Sequence, residues 1–241
     1  MRKLIACIPN FSEGRNPEVI DAISASIESV PDVTLLDVDP GEATNRTVIT
    51  FVGTPEAVMD AAVASIGTAT ELIDMSAHSG EHPRFCATDV CPLVPVSGIS
   101  MEEAAALARS LARRLGEELG LTVYCYEHAA STPERRNLAE VRQGEYEGLA
   151  DRLQDPEWAP DFGPAEFNPR SGATAVGARE FLVAFNINLT TTSTRRANAI
   201  AFDVRERGRV KRLGDPLTGE VVLDENGEKV WIPGTLEAVK A

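Results

Sequence analysis

Between Asp74 and Pro95 the chain reads DMSAHSGEHPRFCATDVCPLVP, and this one segment carries two of the three histidines and two of the four cysteines. His78, Glu81 and His82 match H-x-x-E-H, the inverted zinc-peptidase pattern, which needs a helix to turn two imidazoles four residues apart toward one metal. Gly80 between the histidines and Pro83 directly after them oppose that helix, because the proline ring removes a backbone donor and crowds the preceding turn. No metal is expected on these grounds. A histidine held in a Gly- and Pro-bounded loop beside a glutamate is then a candidate proton shuttle, since its unperturbed pKa lies near neutrality. The alternative is a ring that only hydrogen-bonds its own loop, and spacing leaves His78 and His82 equivalent. His128, just after a strand end, reads as structural.

Three further groups carry chemistry. Asp39 ends an apolar run, where a carboxylate often points into a site, or else makes an Asx turn with Pro40 and Gly41. Arg46 after Asn45 and Arg84 after Pro83 offer planar donor forks that suit a carboxylate substrate, or solvated surface ion pairs. Cys7, Cys86, Cys91 and Cys125 form no C-x-x-C pair and read as reduced thiols packing as small hydrophobes.

These groups must be positioned by elements that the apolar pattern outlines. Lys3–Pro9 reads as a buried strand opening into a polar loop, Asn10–Asn16, and Pro17 starts a helix with Val19, Ile20, Ile23, Ile27 and Val30 on one face. Val33–Val38 and Thr47–Val52 read as strands joined through a turn at Asp39–Gly41, and Glu56–Ala69 as a helix burying Val58, Ala62, Ile66 and Ala69. Cys91–Val96 carries prolines, which predicts an edge strand or a loop. Ser100 and Glu103 form a capping box for a helix running to Gly120, and Leu121–Tyr126 returns as a strand. Beyond it a short helix start at Thr132–Glu134, punctuation at Gln143–Gly148 and a shaped loop at Asp161–Gly172 precede an apolar strand, Phe181–Leu189, carrying Asn186 and Asn188 on one face. Thr192–Arg207 fits a helix, and Asp224–Gly227 a turn.

The resulting β-α-β-β-α, β-α-β order predicts an α+β sandwich of ferredoxin-like type, a mixed or antiparallel sheet with helices on one face. No Gly-rich loop of dinucleotide or P-loop spacing occurs. At 241 residues and 43% hydrophobic composition the chain is one large domain or two small ones. The net charge of −14 opposes nucleic-acid and anionic-membrane partners. No apolar run nears the roughly 18 residues that cross a bilayer, and Met1–Asn10 is too short for a signal peptide, so a cytoplasmic protein is expected.

Several stretches, in one order, point further: CIPNFSEGR from Cys7, LLDVDPG from Leu35, NRTVITFVG from Asn45, IDMSAHSGEHPR from Ile73, ATDVCPLVPV from Ala87, GEYEGL from Gly144, WAPDFGP from Trp158 and GATAVGAREFLVAFNINL from Gly172. Together they resemble the glutamate formimidoyltransferase family, which also forms the amino-terminal half of bifunctional formimidoyltransferase-cyclodeaminases. The resemblance covers most of residues 1–190. It implies transfer of the formimino group from N-formimino-L-glutamate to tetrahydrofolate, a co-substrate, with release of glutamate in histidine breakdown and without a metal. It implies two similar α+β subdomains with folate between them, here residues 1–178 and the beginning of the second at 179–241, in a homodimer.

The resemblance singles out His82, in the GEHPR motif, as the group that takes a proton from folate N5 and returns it to the departing amine. Asp39 would orient His82 or bind the formimino nitrogen. His78 becomes a neighbour or substrate contact, beside Asn10, Asn45, Arg46 and Arg84. The loop Gly163, Pro164, Ala165, Glu166, Phe167, Asn168, Pro169, Arg170, Ser171 and Gly172 matches the family's folate-binding segment, and a second such segment begins at Gly234. Family members continue beyond Ala241, and Lys211–Val230 reads as an inserted hairpin of bacterial type, so a fragment or a natural truncation is expected. Two other readings stand beside this one: formyl exchange between 5-formyltetrahydrofolate and glutamate at the same site, and a non-catalytic folate-binding or interaction remnant.

Overall fold

The first two strands are one strand interrupted. In the computed structural model, which describes residues 2–183, 187 and 189–236, β1 (Leu4–Cys7) and β2 (Asn10–Phe11) both lie between β4 (Arg46–Gly53) and β5 (Thr88–Ser97). The edge strand β3 (Val33–Gly41) pairs with β4, and all these pairings are antiparallel. With α1 (Pro17–Glu28) and α2 (Pro55–Leu72) this makes the ferredoxin-like β-α-β-β-α-β unit. Then α3 (Met101–Glu118) leads to β6 (Thr122–Glu127), and β7 (Ala173–Ala178) inserts between β5 and β6, parallel to both. The sheet is therefore mixed, in an α+β fold.

Local chemistry starts α1 and α3, while α2 begins at Pro55 without a side-chain cap. The Asn16 side chain accepts from the Glu18 N–H with Pro17 in the first turn, and Ser100 and Glu103 complete the expected capping box. Ile23, Ile27, Val58, Ala62, Ile66, Ala108, Leu111 and Leu115 from these helices meet Ile49, Phe51, Cys91, Leu93, Val123 and Cys125 from one sheet face in the main core.

Alternation along β6 sends Tyr124 and Tyr126 to the opposite face, into a second cluster with Phe85, Val90, Val141 and Leu149. The short helices α4 (Leu138–Val141) and α5 (Glu145–Arg152) bring Val141 and Leu149 there. Helices thus cover both faces at the β5–β7–β6 end, where one helical face was expected.

Four expectations change. β5 is interior rather than an edge or loop. Its prolines are accommodated because Pro92 lies opposite the break between β1 and β2, with Ile8 N–H donating to its carbonyl, and because Pro95 lies past the end of β7, whose pairing stops at Leu93. The strand β3 runs through Asp39, Pro40 and Gly41, which pair with Val48, Thr47 and Arg46, so the turn falls one step later, at 42–45. Gly144, with φ +86°, starts α5, and Gly148 lies inside it. The polar loop after β1 contains β2.

The strand expected at Phe181–Leu189 falls in part on residues outside those described, among them Asn186 and Asn188. Its described members Phe181, Leu182, Val183, Ile187 and Leu189 are exposed and belong to no named strand.

Chain contacts divide the molecule into Met1–Leu182 and Val183–Ala241. The second unit holds α6 (Thr194–Val204), capped by Ser193, and two short strand pairs: β8 (Arg209–Val210) with β11 (Trp231–Ile232), and β9 (Arg212–Leu213) with β10 (Glu220–Val221). The Asp224–Gly227 turn forms as expected, with Gly227 N–H donating to the Asp224 carbonyl. All four cysteines are free and buried, with Cys7 Sγ 3.4 Å from Cys91 Sγ. Burial pushes the Cys7 and Cys86 thiols well above their ordinary range and Cys125 up to about 12, which suits packing rather than reactivity. Among the described residues no helix is long and apolar enough to cross a membrane.

Candidate active site

Asn45 pins the chemistry-bearing loop. It sits in the 42–45 turn with φ +48°, and its side chain accepts the Gly14 N–H at 3.0 Å and donates to the Ser79 carbonyl at 2.9 Å. Its own carbonyl accepts from His78 Nε2 at 2.9 Å. Gly80 lies so close to this turn that a Cβ would overlap the Thr44 carbonyl, and Glu81 N–H donates to the Ala43 carbonyl. Residues 78–82 are therefore an extended loop laid on the β3–β4 turn. The two rings do not share a helical face, and His78 Nε2 is committed as a donor. His78 Nδ1 is buried and has no hydrogen-bond partner among the described residues.

Arg84 closes the loop from the other end. Its guanidinium donates to the Met75 and His78 carbonyls, pairs with Glu147 and stacks 4.9 Å over the Tyr146 ring. The Arg84 carbonyl accepts the Tyr146 N–H, so the loop and α5 are held together. Between them opens a cleft of about 560 Å3 lined by residues 78–84, Glu145 and Glu147.

His82 stands half-buried in this wall. Its Nδ1 donates to the Pro83 carbonyl at 2.7 Å, which fixes the neutral tautomer and leaves the Nε2 lone pair free to accept a proton. Burial is the largest influence on the ring and lowers its pKa. The Arg46 charge lowers it further, while Asp89 and the Pro83 contact oppose them. A neutral ring at pH 7 is the form that acts as a base.

The charges that act on His82 belong to buried or half-buried groups outside the lining of the cleft. Asn10 is buried and accepts from Arg46 Nη1, whose Nε is buried without a hydrogen-bond partner among the described residues. Burial lowers the Arg46 pKa, with Asp89 and Asp39 raising it. Asp89 is 1% exposed and takes both donors of the Arg142 fork, Nε at 2.9 Å and Nη2 on the other oxygen. Burial raises the Asp89 pKa against the pull of Arg142 and His82. Asp39 is exposed on the edge strand, where its charge acts on Arg46.

The segment Gly163–Gly172 flanks the cleft rather than lining it. Gly163, φ +78°, packs where a Cβ would overlap the Leu121 carbonyl, and Pro164 accepts from Thr122 Oγ1. Phe167 meets Tyr146 at 5.4 Å, and Pro169 accepts from the Tyr146 hydroxyl. Asn168 caps its own turn by accepting the Arg170 N–H, and the Arg170 carbonyl accepts from Met75 N–H. The Ser171 carbonyl accepts from Ala87 N–H, and Gly172, φ +68°, lies against the Phe85 carbonyl. Ala165 and Glu166 are exposed.

Residues 4–179 match the family model of the formiminotransferase domain, N-terminal subdomain, and residues 184–241 match that of the formiminotransferase domain. The chain belongs to the formiminotransferase family. It is 56% identical over 211 residues to the formimidoyltransferase-cyclodeaminase of Mus musculus, covering 88% of this chain and 39% of that protein. It is 47% identical to the glutamate formimidoyltransferase of Streptococcus pyogenes serotype M1, covering 86% of this chain and 70% of that one. To the Thermoplasma acidophilum protein of the same name it is 46% identical, covering 85% and 68%. The chain thus spans 39% of the length of the mouse relative.

Within this formiminotransferase fold, His78, His82 and Arg84 line one cleft, with Asn45 as the anchor of their loop, while Asn10 and Arg46 pair with each other outside its lining. Asp89 and Arg142 are the residues the sequence reading missed. Asp89 stands inside the ATDVCPLVPV motif, and a lone acid in an otherwise apolar strand was the available signal.

Proposed function

We propose that this chain carries the formimino-transfer site of a glutamate formimidoyltransferase, moving the group from N-formimino-L-glutamate to N5 of tetrahydrofolate. The observation that carries the reading is His82: a half-buried ring with Nδ1 committed to its own loop and Nε2 free on the cleft. Folate N5 attacks the formimino carbon and the new C–N bond forms. His82 Nε2 takes the proton that N5 sheds and returns it to the glutamate nitrogen as the old C–N bond breaks, so one group serves as base and then acid. Arg46, whose Nε has no hydrogen-bond partner among the described residues, holds a carboxylate of the donor, and Asp39 receives the formimino nitrogen. His78 Nδ1, a buried acceptor without a hydrogen-bond partner among the described residues, suits a substrate N–H. Asn10, Asn45 and Arg84 shape the pocket for these contacts, and Gly163–Gly172 is the folate-facing edge. Residues 1–178 form the first subdomain, and 179–241 belong to the second. The working assembly is a cytoplasmic homodimer, to be checked by sedimentation.

The test is turnover of N-formimino-L-glutamate with tetrahydrofolate, followed by release of glutamate. Replacing His82 by Ala is expected to lower the rate by at least about 100-fold with far-UV dichroism unchanged. A folded His82→Ala protein at the native rate would remove His82 as the proton carrier. Assay with 5-formyltetrahydrofolate and glutamate separates formyl from formimino transfer.

A further inference from the structure

Arg84 carries the only guanidinium among the described residues that line the cleft, and that guanidinium is already engaged. Its Nη1 donates to the Met75 carbonyl at 3.3 Å and to the His78 carbonyl, and the Tyr146 ring lies 4.9 Å from its centre. Tyr146 is held in its turn. Its N–H donates to the Arg84 carbonyl at 2.8 Å, its hydroxyl donates to the Pro169 carbonyl, and its ring packs on Phe167. The fork is therefore fixed in orientation by groups on one side, while its Nη2 pairs with Glu147. That partner is a loose one. The Glu147 side chain is 61% exposed against 21% for Arg84, and an ion pair open to water on one side contributes little.

N-formimino-L-glutamate carries two carboxylates, and its side chain ends in the same ethylene-carboxylate group as Glu147. The reading above gives one carboxylate to Arg46. In the cleft the other meets Glu81, Glu145 and Glu147, which repel it, and Arg84, which attracts it. While Glu147 sits on the fork, that attraction is neutralised. A planar fork that is already ordered binds a carboxylate through two parallel bonds with little further loss of freedom, and the exposed Glu147 carboxylate returns to water at small cost.

We propose that Arg84 receives the side-chain carboxylate of the donor and that Glu147 is its internal competitor, holding the fork until the substrate's carboxylate displaces it. The proposal rests on the reading of the donor as N-formimino-L-glutamate. No covalent bond changes; one ion pair is exchanged for another. Glu147 thereby sets specificity, because a ligand that brings no carboxylate to this point has nothing to offer the fork in exchange and leaves the pair in place.

The experiment is a titration of the chain with glutarate, which has the donor's two carboxylates at the same spacing and no formimino group. Binding is followed by nuclear magnetic resonance through the backbone amides of residues 78–84 in 15N-labelled protein. Glu147→Gln keeps the size of the side chain and removes its charge, and it is expected to tighten glutarate about threefold, as loss of an exposed competing ion pair allows. Glu145→Gln removes the same charge from the same cleft without freeing the fork, and is expected to tighten it clearly less. A merely structural clamp between the loop and α5 would give the opposite sign, since loosening the wall weakens binding. Weaker or unchanged binding in Glu147→Gln, an equal gain in Glu145→Gln, or no response to glutarate in any of the three proteins overturns the proposal. In turnover, Glu147→Gln should lower KM for N-formimino-L-glutamate by the same factor, with KM for tetrahydrofolate unmoved. Because glutarate needs no turnover, tightened binding in a chain that transfers nothing would end the transferase reading and keep the exchange at Arg84, whereas an active chain with unmoved glutarate binding would do the reverse.

Discussion

His82 shows how a single ring is tuned by where its loop is laid. Its folded pKa lies below the ordinary value, through burial first and Arg46 second, so the neutral base persists as pH falls through about 6.5. The acidic limb of kcat/KM is therefore expected below about pH 6.5, measured with a full pH profile. The same shift has a sign for stability: the unfolded chain takes up the proton first, so a small contribution is lost as pH drops from about 6.5 toward the folded value. The loop depends on Asn45, whose side chain ties Gly14 to Ser79 from a left-handed backbone conformation. Asn45→Ala is expected to cost about 2 kcal/mol, read by urea denaturation, and to depress turnover as the His78–His82 loop loosens. At this scale the motif singled out His82, which lines the cleft, and Gly80 and Pro83 argued correctly against a helix. The register shift at Asp89 was hidden because it is a property of two strands, not of one.

Elements with a local cause were the readable ones. The capping box at Ser100 and Glu103 and the helical stripe down α3 are written within a few residues, and Ser100→Ala should cost about 1 kcal/mol in the same denaturation assay. β7 has no such local cause. Its residues Ala173–Ala178 are small and buried on both faces, and Gly177 leaves room where a Cβ would overlap the Tyr126 ring. A strand of this kind offers neither bulky apolar residues nor alternation, so it was not seen although it joins β5 to β6. The prolines of β5 misled for a related reason: whether a missing N–H matters depends on what lies opposite it.

For the whole molecule, every buried hydrophobic side chain among the described residues falls between Ile5 and Ala178, within the unit Met1–Leu182. A chain of residues 1–182 is accordingly expected to fold in one cooperative transition, with a melting temperature within a few degrees of the longer chain, measured by calorimetry. A chain of 1–182 that fails to fold would show that the remaining residues are needed to complete the core.

By itself the sequence determined the start and inward face of the main helices, the loop character of the His78–His82 segment and the family, because each rests on short-range pattern or on ordered motifs. The tertiary structure alone decided the working surroundings of His82. Its tautomer follows from a contact with the Pro83 carbonyl, and its charge balance from Arg46, Asp89 and Arg142, of which the last two are 53 residues apart. Strand pairing brings these groups together, and pairing is set by burial across the whole sheet.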